Sequence, residues 1–156
     1  GILFGKWIGT IISLISITTG ALCLYIIASY FFSDLINKIL KNKFSKYLER
    51  FKKNEFYYFF AFRLSGGLGI PFGLQNLLPV IFKIDNKNYF LASLLGFIPH
   101  FFIWNSIGAG INKFIKEADE FNFISLILNK EIYIPLTLFM ILIILSLIVK
   151  KKFFND

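Results

Sequence analysis

Four stretches without a formal charge alternate with charged ones along the chain, at 7–33, 64–82, 88–112 and 132–149. Each approaches the roughly 20 residues that an α-helix needs to cross ~30 Å of hydrocarbon. The first, third and fourth are rich in Ile, Leu and Phe, and predict spanning helices over 11–33, 88–111 and 132–149. The second reads LSGGLGIPFGLQNLLPVIF, with four glycines and two prolines, and is a poor straight span. Backbone N–H and C=O groups cannot stay unpaired in lipid, so a broken segment must be covered by other helices or line a wet cavity. Two short limbs meeting around Gly66, Gly67, Gly69, Pro71 and Gly73 therefore predict a re-entrant hairpin over 57–82, with glycine allowing the reversal. A kinked full span is the competing reading.

Between the first two stretches, Leu35, Ile39, Leu40, Phe44, Tyr47, Leu48 and Phe51 recur at helical spacing with lysines largely between them. That pattern predicts an amphipathic interfacial helix over 35–56. Its basic face suits anionic lipid headgroups, and solvated charges that fix orientation give the same pattern. Lys38, Lys41, Lys43, Lys46, Arg50, Lys52 and Lys53 face only Asp34, Glu49 and Glu55, which places this segment on the cytoplasmic side. A second stretch that leaves on the side it entered keeps the turn KIDNK there as well. The third then crosses outward to a nearly balanced outer loop over 112–131, and the fourth returns to a cytoplasmic Lys150, Lys151 and Lys152.

Composition fixes the class that the pattern suggests. Hydrophobic residues make up 56% of 156 positions and the mean hydropathy is +0.68, more apolar surface than a soluble chain of this length can bury. The net charge of +8 lies in clusters between apolar blocks and not on one continuous face, which argues against nucleic acid as a partner. Cys23 is the single cysteine, inside an apolar run, and is expected in the core. Gly1 opens the chain inside an apolar block, so an element upstream is expected. Heavy use of Ile, Lys, Phe and Asn suits an AT-rich bacterial genome and hence a cytoplasmic (inner) membrane.

Arg63 is the strongest candidate functional residue, being the one charge between Phe56 and Phe82. An arginine at the centre of a membrane helix costs about 2.5–3.5 kcal/mol on insertion scales, so it is paired, hydrated or functional. Its planar fork suits phosphate, although snorkelling to the interface explains the same position. Gln75 and Asn76 are placed to satisfy opened backbone or to touch a polar ligand. His100, the one histidine, follows Pro99 inside the third stretch and is a candidate proton relay or a neutral hydrogen-bonding residue. Pro71 and Pro99 shape the backbone. Trp7, Trp104, Tyr57, Tyr58, Tyr89 and Tyr133 fall near span ends and read as interfacial belt anchors. No acidic residue lies inside the uncharged stretches, and no phosphate loop, metal-ligand cluster or activated nucleophile occurs. The expectation is a protein that is not an enzyme and holds no cofactor or metal.

The segment FAFRLSGGLGIPFGLQN, followed by Phe90, Ser93, Gly96, Pro99, Trp104 and Gly108, resembles the DedA superfamily, also called the VTT or SNARE-associated Golgi protein family. Its Tvp-type branch is the nearer one. The shared pattern is Arg63, Pro71-Phe72, Asn76 and the step from Gly96 to Pro99, and the opening 3–30 resembles the family through Gly5, Gly9, Gly20 and Ala21. Ser29 stands where the family has an arginine, Gly66 where it has a proline, and Pro79-Val80 where it has a glycine. The resemblance implies an all-α membrane protein built as an inverted repeat of re-entrant hairpin plus transmembrane helix, here with an additional C-terminal transmembrane helix. Residues 1–10 would be the returning limb of a first hairpin. It also implies translocation or scrambling of phospholipid or polyprenyl-phosphate lipids, with membrane lipids as the partners and oligomers allowed. A secondary transporter of a small solute or ion, and a non-transporting scaffold packed through its glycines, are the alternatives.

Overall fold

The structure is a computed structural model that describes residues 1–35, 38, 51–117 and 123–154. Every regular element among them is helical. In chain order these are α1 (Gly5–Phe31), α2 (Glu55–Leu64), a 3-10 turn (Gly66–Gly69), α3 (Phe72–Phe82), α4 (Asn86–Glu117), α5 (Phe123–Leu128) and α6 (Lys130–Phe154). Two helices among the described residues, Gly5–Phe31 and Asn86–Lys116, are long and apolar enough to cross a membrane. The stretch 132–149 lies inside α6.

Helix limits differ from the sequence reading in ways with simple causes. α1 is unbroken from Gly5, so no backbone boundary separates 1–10 from 11–33. One glycine in a helix costs about 1 kcal/mol, too little to end a long apolar helix at Gly9. α4 continues to Glu117 and α5 occupies 123–128, so part of the expected outer loop over 112–131 is helical. The amphipathic helix expected over 35–56 falls mostly on 36, 37 and 39–50, which lie outside the described residues. Cys23 is exposed and not in the core. Ile8, Ile11, Ile12, Ile15, Ile26 and Ile27 on the same helix are exposed too, so α1 turns apolar side chains outward, as a helix facing hydrocarbon must.

The chain forms two compact units, 1–15 with 97–156, and 16–96. In the first, α4 carries small or polar residues at its contacts. Asn105 donates through Nδ2 to Phe101 O at 2.8 Å and to Ser13 Oγ at 3.4 Å. A Cβ added to Gly110 would stand 2.7 Å from Glu131 O, which puts the start of α6 directly on the glycine. Trp104 packs edge-on against Phe139 at 5.1 Å, and Lys113 Nζ pairs with Glu131 Oε1 at 3.0 Å.

In the second unit the core runs through Ala21, Tyr25, Ala28, Phe59, Leu78, Tyr89 and Ala92. Alanine on α1 and α4 lets helices approach closely where apolar burial alone gives no drive in lipid. Here α2, the 3-10 turn and α3 form a helical hairpin. Gly66, Gly67 and Gly69 have φ of 68°, 71° and 79°, a left-handed region that side chains with a Cβ rarely adopt. Pro71, with ψ 139°, is extended and starts α3, and Lys83 in the left-handed region ends it. The base of the hairpin is tied: Glu55 Oε1 accepts Asn88 Nδ2 at 2.5 Å and the Asp85 N–H at 3.3 Å. Asp85 in turn caps α4 by accepting the Lys87 N–H at 2.9 Å. Limbs of 10 and 11 residues are about 15 Å long at 1.5 Å per residue, half of a ~30 Å hydrocarbon core.

Candidate functional site

Arg63 occupies the last turn of α2, at the tip end of the hairpin, and is wholly buried. Its guanidinium is met from two elements by neutral oxygens. From α3, Asn76 Oδ1 accepts Nη2 at 2.5 Å and Gln75 Oε1 accepts Nη1 at 3.3 Å. From α4, Tyr89 Oη accepts Nη2 at 2.8 Å and Ser93 Oγ accepts Nε at 3.3 Å. Rings complete the surround, with Phe59, Tyr89 and Phe72 centred 4.8, 5.5 and 5.8 Å from the guanidinium carbon.

The energetics favour this arrangement. Hydrogen bonds to a charged group contribute about 1.5–3 kcal/mol each, and a desolvated cation–π contact about 2 kcal/mol. A few of these offset the roughly 2.5–3.5 kcal/mol insertion cost of the arginine. The side chain does not snorkel outward; the protein folds a polar interior around it.

Each partner is itself held. Asn76 Nδ2 donates to Phe72 O one turn earlier at 3.1 Å. Tyr89 Oη lies 3.0 Å from Asn76 Oδ1 and 3.1 Å from Ala21 O, with one proton to give to either. The Tyr89 ring stacks on Tyr25 at 4.5 Å and 8°, and Tyr25 Oη donates to Ile84 O at 2.6 Å. Gln75 bridges two systems. Its Oε1 faces Arg63, while Nε2 donates to Ile70 O at 2.7 Å and Gly66 O at 3.3 Å, satisfying carbonyls that the broken backbone leaves open.

The structure thus brings Arg63, Gln75 and Asn76 together, with Gly66, Gly67 and Gly69 forming the tip beside them. Gly73 lies in α3 and is open, since a Cβ there meets nothing within 4 Å. His100 and Pro99 belong to the other compact unit, on α4, where both are half-buried. Two hydrogen-bonding members of the cage escape the sequence reading. Tyr89, taken for a belt anchor, is buried and bonded to Arg63, whereas Trp7, Trp104, Tyr57 and Tyr133 are exposed. Ser93 carries no signal of its own beyond its place in the family pattern. Periodicity offers one for Tyr89: Tyr89, Ser93 and Gly96 fall at i, i+4 and i+7, a single stripe of α4.

The profile of the VTT domain family matches residues 1–110, a span that contains the whole unit 16–96 and every residue of the cage. No solved structure matches the chain.

Proposed function

Because this chain belongs to the VTT-domain (DedA) family of membrane proteins, we propose that it moves phosphate-bearing lipids, phospholipid or polyprenyl phosphate, across the bilayer, with Arg63 as the group that receives the phosphate. The observation that carries this reading is a guanidinium held at the tip of a helical hairpin by neutral oxygens. Neutral acceptors yield to an anionic one, since a phosphate adds the attraction of a full charge and a bidentate fit to bonds that the guanidinium already makes. The hairpin is the other half of the proposal. Its base is closed by Glu55 against Asp85 and Asn88, which supports a segment that leaves at the level where it entered. Such a segment dips about halfway into the hydrocarbon and comes back, forming the second half of an inverted repeat in which broken helices lower the barrier to a polar headgroup.

In this reading the chain sits in a bacterial cytoplasmic membrane, is nearest the Tvp-type branch, and has its C-terminus inside. The test is translocation of a headgroup-labelled phospholipid in proteoliposomes. Wild-type protein accelerates exchange over empty vesicles, and Arg63→Ala removes most of the gain. Exchange no faster than in empty vesicles ends the proposal. Unaltered exchange in Arg63→Ala removes the role assigned to the guanidinium.

A further inference from the structure

The Arg63 cage is closed unevenly. Asn76, Tyr89 and Ser93 are wholly buried, whereas Gln75 keeps 7% of its surface and Phe72 43%. Both come from the first turn of α3, next to the hairpin tip. Gln75 also holds the tip itself through Ile70 O and Gly66 O. Gly67 lies flat against its carboxamide: a Cβ at 67 would collide with Gln75 Cδ, Nε2 and Oε1. One side chain therefore fastens the guanidinium and the tip together, and it stands on the side where the cage meets the surface.

We propose that Gln75 is a latch that couples occupancy of Arg63 to opening of the tip, resting on the phosphate reading above. A phosphate oxygen of an anionic lipid, whose headgroup brings no cation of its own, takes the place of Gln75 Oε1 on Arg63 Nη1, whereas the trimethylammonium of phosphatidylcholine keeps its phosphate neutralised and off the site. Amide rotation or withdrawal then breaks the bonds from Nε2 to Ile70 and Gly66, because one rigid planar group makes all three contacts. The tip loosens only when an anion is bound, which lets the headgroup advance and keeps the empty site closed. Gln75 is a positioning residue, since it acts through Arg63 and the tip backbone and touches no reacting bond.

The test uses the full chain with Cys23→Ser and Ile70→Cys, reconstituted in phosphatidylcholine vesicles with or without phosphatidylglycerol. Two quantities are read: the rate of thiol modification at position 70 and the co-purification of phosphatidylglycerol. The parent labels slowly in phosphatidylcholine and about tenfold faster with phosphatidylglycerol, the factor expected from losing the neutral bonds of Gln75 Nε2 to the tip carbonyls. Gln75→Ala labels fast in both and keeps its phosphatidylglycerol. Gln75→Glu also labels fast in both, because a carboxylate cannot donate to Ile70 O or Gly66 O, yet it loses phosphatidylglycerol because it occupies Arg63 as the ligand would. Acceleration by soluble glycerol phosphate in place of lipid supports the latch and moves the ligand to solution. Slow labelling of Gln75→Ala, with phosphatidylglycerol still bound by the parent and lost in Arg63→Ala, overturns the latch while leaving the phosphate reading intact. Equal phosphatidylglycerol on the parent and Arg63→Ala overturns the phosphate reading instead. Should Gln75→Ala fail to fold, the nearly isosteric Gln75→Glu decides, and slow labelling or retained lipid in it refutes the latch.

Discussion

Gly96 on α4 lies so close to α2 that a Cβ added to it would stand 2.5 Å from Arg63 Cβ and 3.2 Å from the Leu64 nitrogen. The obstacle is backbone and the root of a buried side chain, so nothing flexible can step aside. Gly96→Ala is expected to push the two helices apart and to cost about 1–3 kcal/mol, the range for overpacking a tight interface. Thermal unfolding in detergent followed by size exclusion checks this, and an unchanged midpoint would show that the helices separate freely.

The tip glycines divide by surroundings. Gly67→Ala combines a left-handed φ of 71° with collision against Gln75, and is expected to destabilise the protein by about 1–2 kcal/mol from backbone strain alone. Gly73→Ala should be neutral or stabilising by up to about 1 kcal/mol, since an open helical glycine gains from a Cβ. The same melting assay ranks the two, and a larger loss at Gly73 would contradict the tip geometry.

Asn76 Oδ1 serves both Arg63 and Tyr89, so removing either partner leaves the other short of an acceptor or donor. Asn76→Ala and Tyr89→Phe should each cost about 1–3 kcal/mol, the penalty for an unsatisfied buried polar group. The double variant should lose less than the sum because the two share one network. Additive losses in a double-mutant cycle would indicate independent roles.

The tie from Glu55 to Asp85 and Asn88 predicts that cysteines placed at Lys53 and Lys87, in a Cys23→Ser background, react with an impermeant thiol reagent from one and the same side of the membrane. Reaction from opposite sides would mean that the segment crosses.

On the other unit, the Lys113 ammonium bonded to the Glu131 carboxylate holds that carboxyl below the usual range, with smaller help from Lys6 and Lys130. A depressed folded-state value means that the pair contributes above the ordinary carboxylate range and is lost as pH falls through the lowered value. Both side chains are largely in solvent, so the melting midpoint should barely move with pH. A carboxyl titration by NMR reads the effect directly: Lys113→Ala should raise the Glu131 midpoint toward the ordinary value.

Arg63, Gln75 and Asn76 are each singled out in the sequence as polar residues in or beside a glycine- and proline-broken apolar stretch; that the two amides bond Arg63 is not legible, because Ser65 is nearer in sequence and turns back to Phe62 O instead. Tyr89 is misread because a tyrosine at the end of a span has the same sequence context whether it faces the interface or a buried cation; only the stripe it shares with Ser93 and Gly96 tells them apart. Cys23 fails for a related reason. The rule that apolar means inside holds in water, and in a helix such as α1 the apolar side chains point outward. The helix limits slip where a single glycine or a short charged run competes with the backbone ladder, as at Gly9 and at 112–117.

The closed base of the hairpin has a bearing on connectivity. Each limb is secured away from the tip, α2 by Glu55 and α3 by the stack of Phe82 on Phe51 at 4.1 Å. The peptide link through 66–69 is then dispensable for holding the limbs in register. Two separately encoded pieces, severed there and produced in one cell, should find each other in the bilayer and restore the paired limbs, although without the continuous tip that Gln75 fastens.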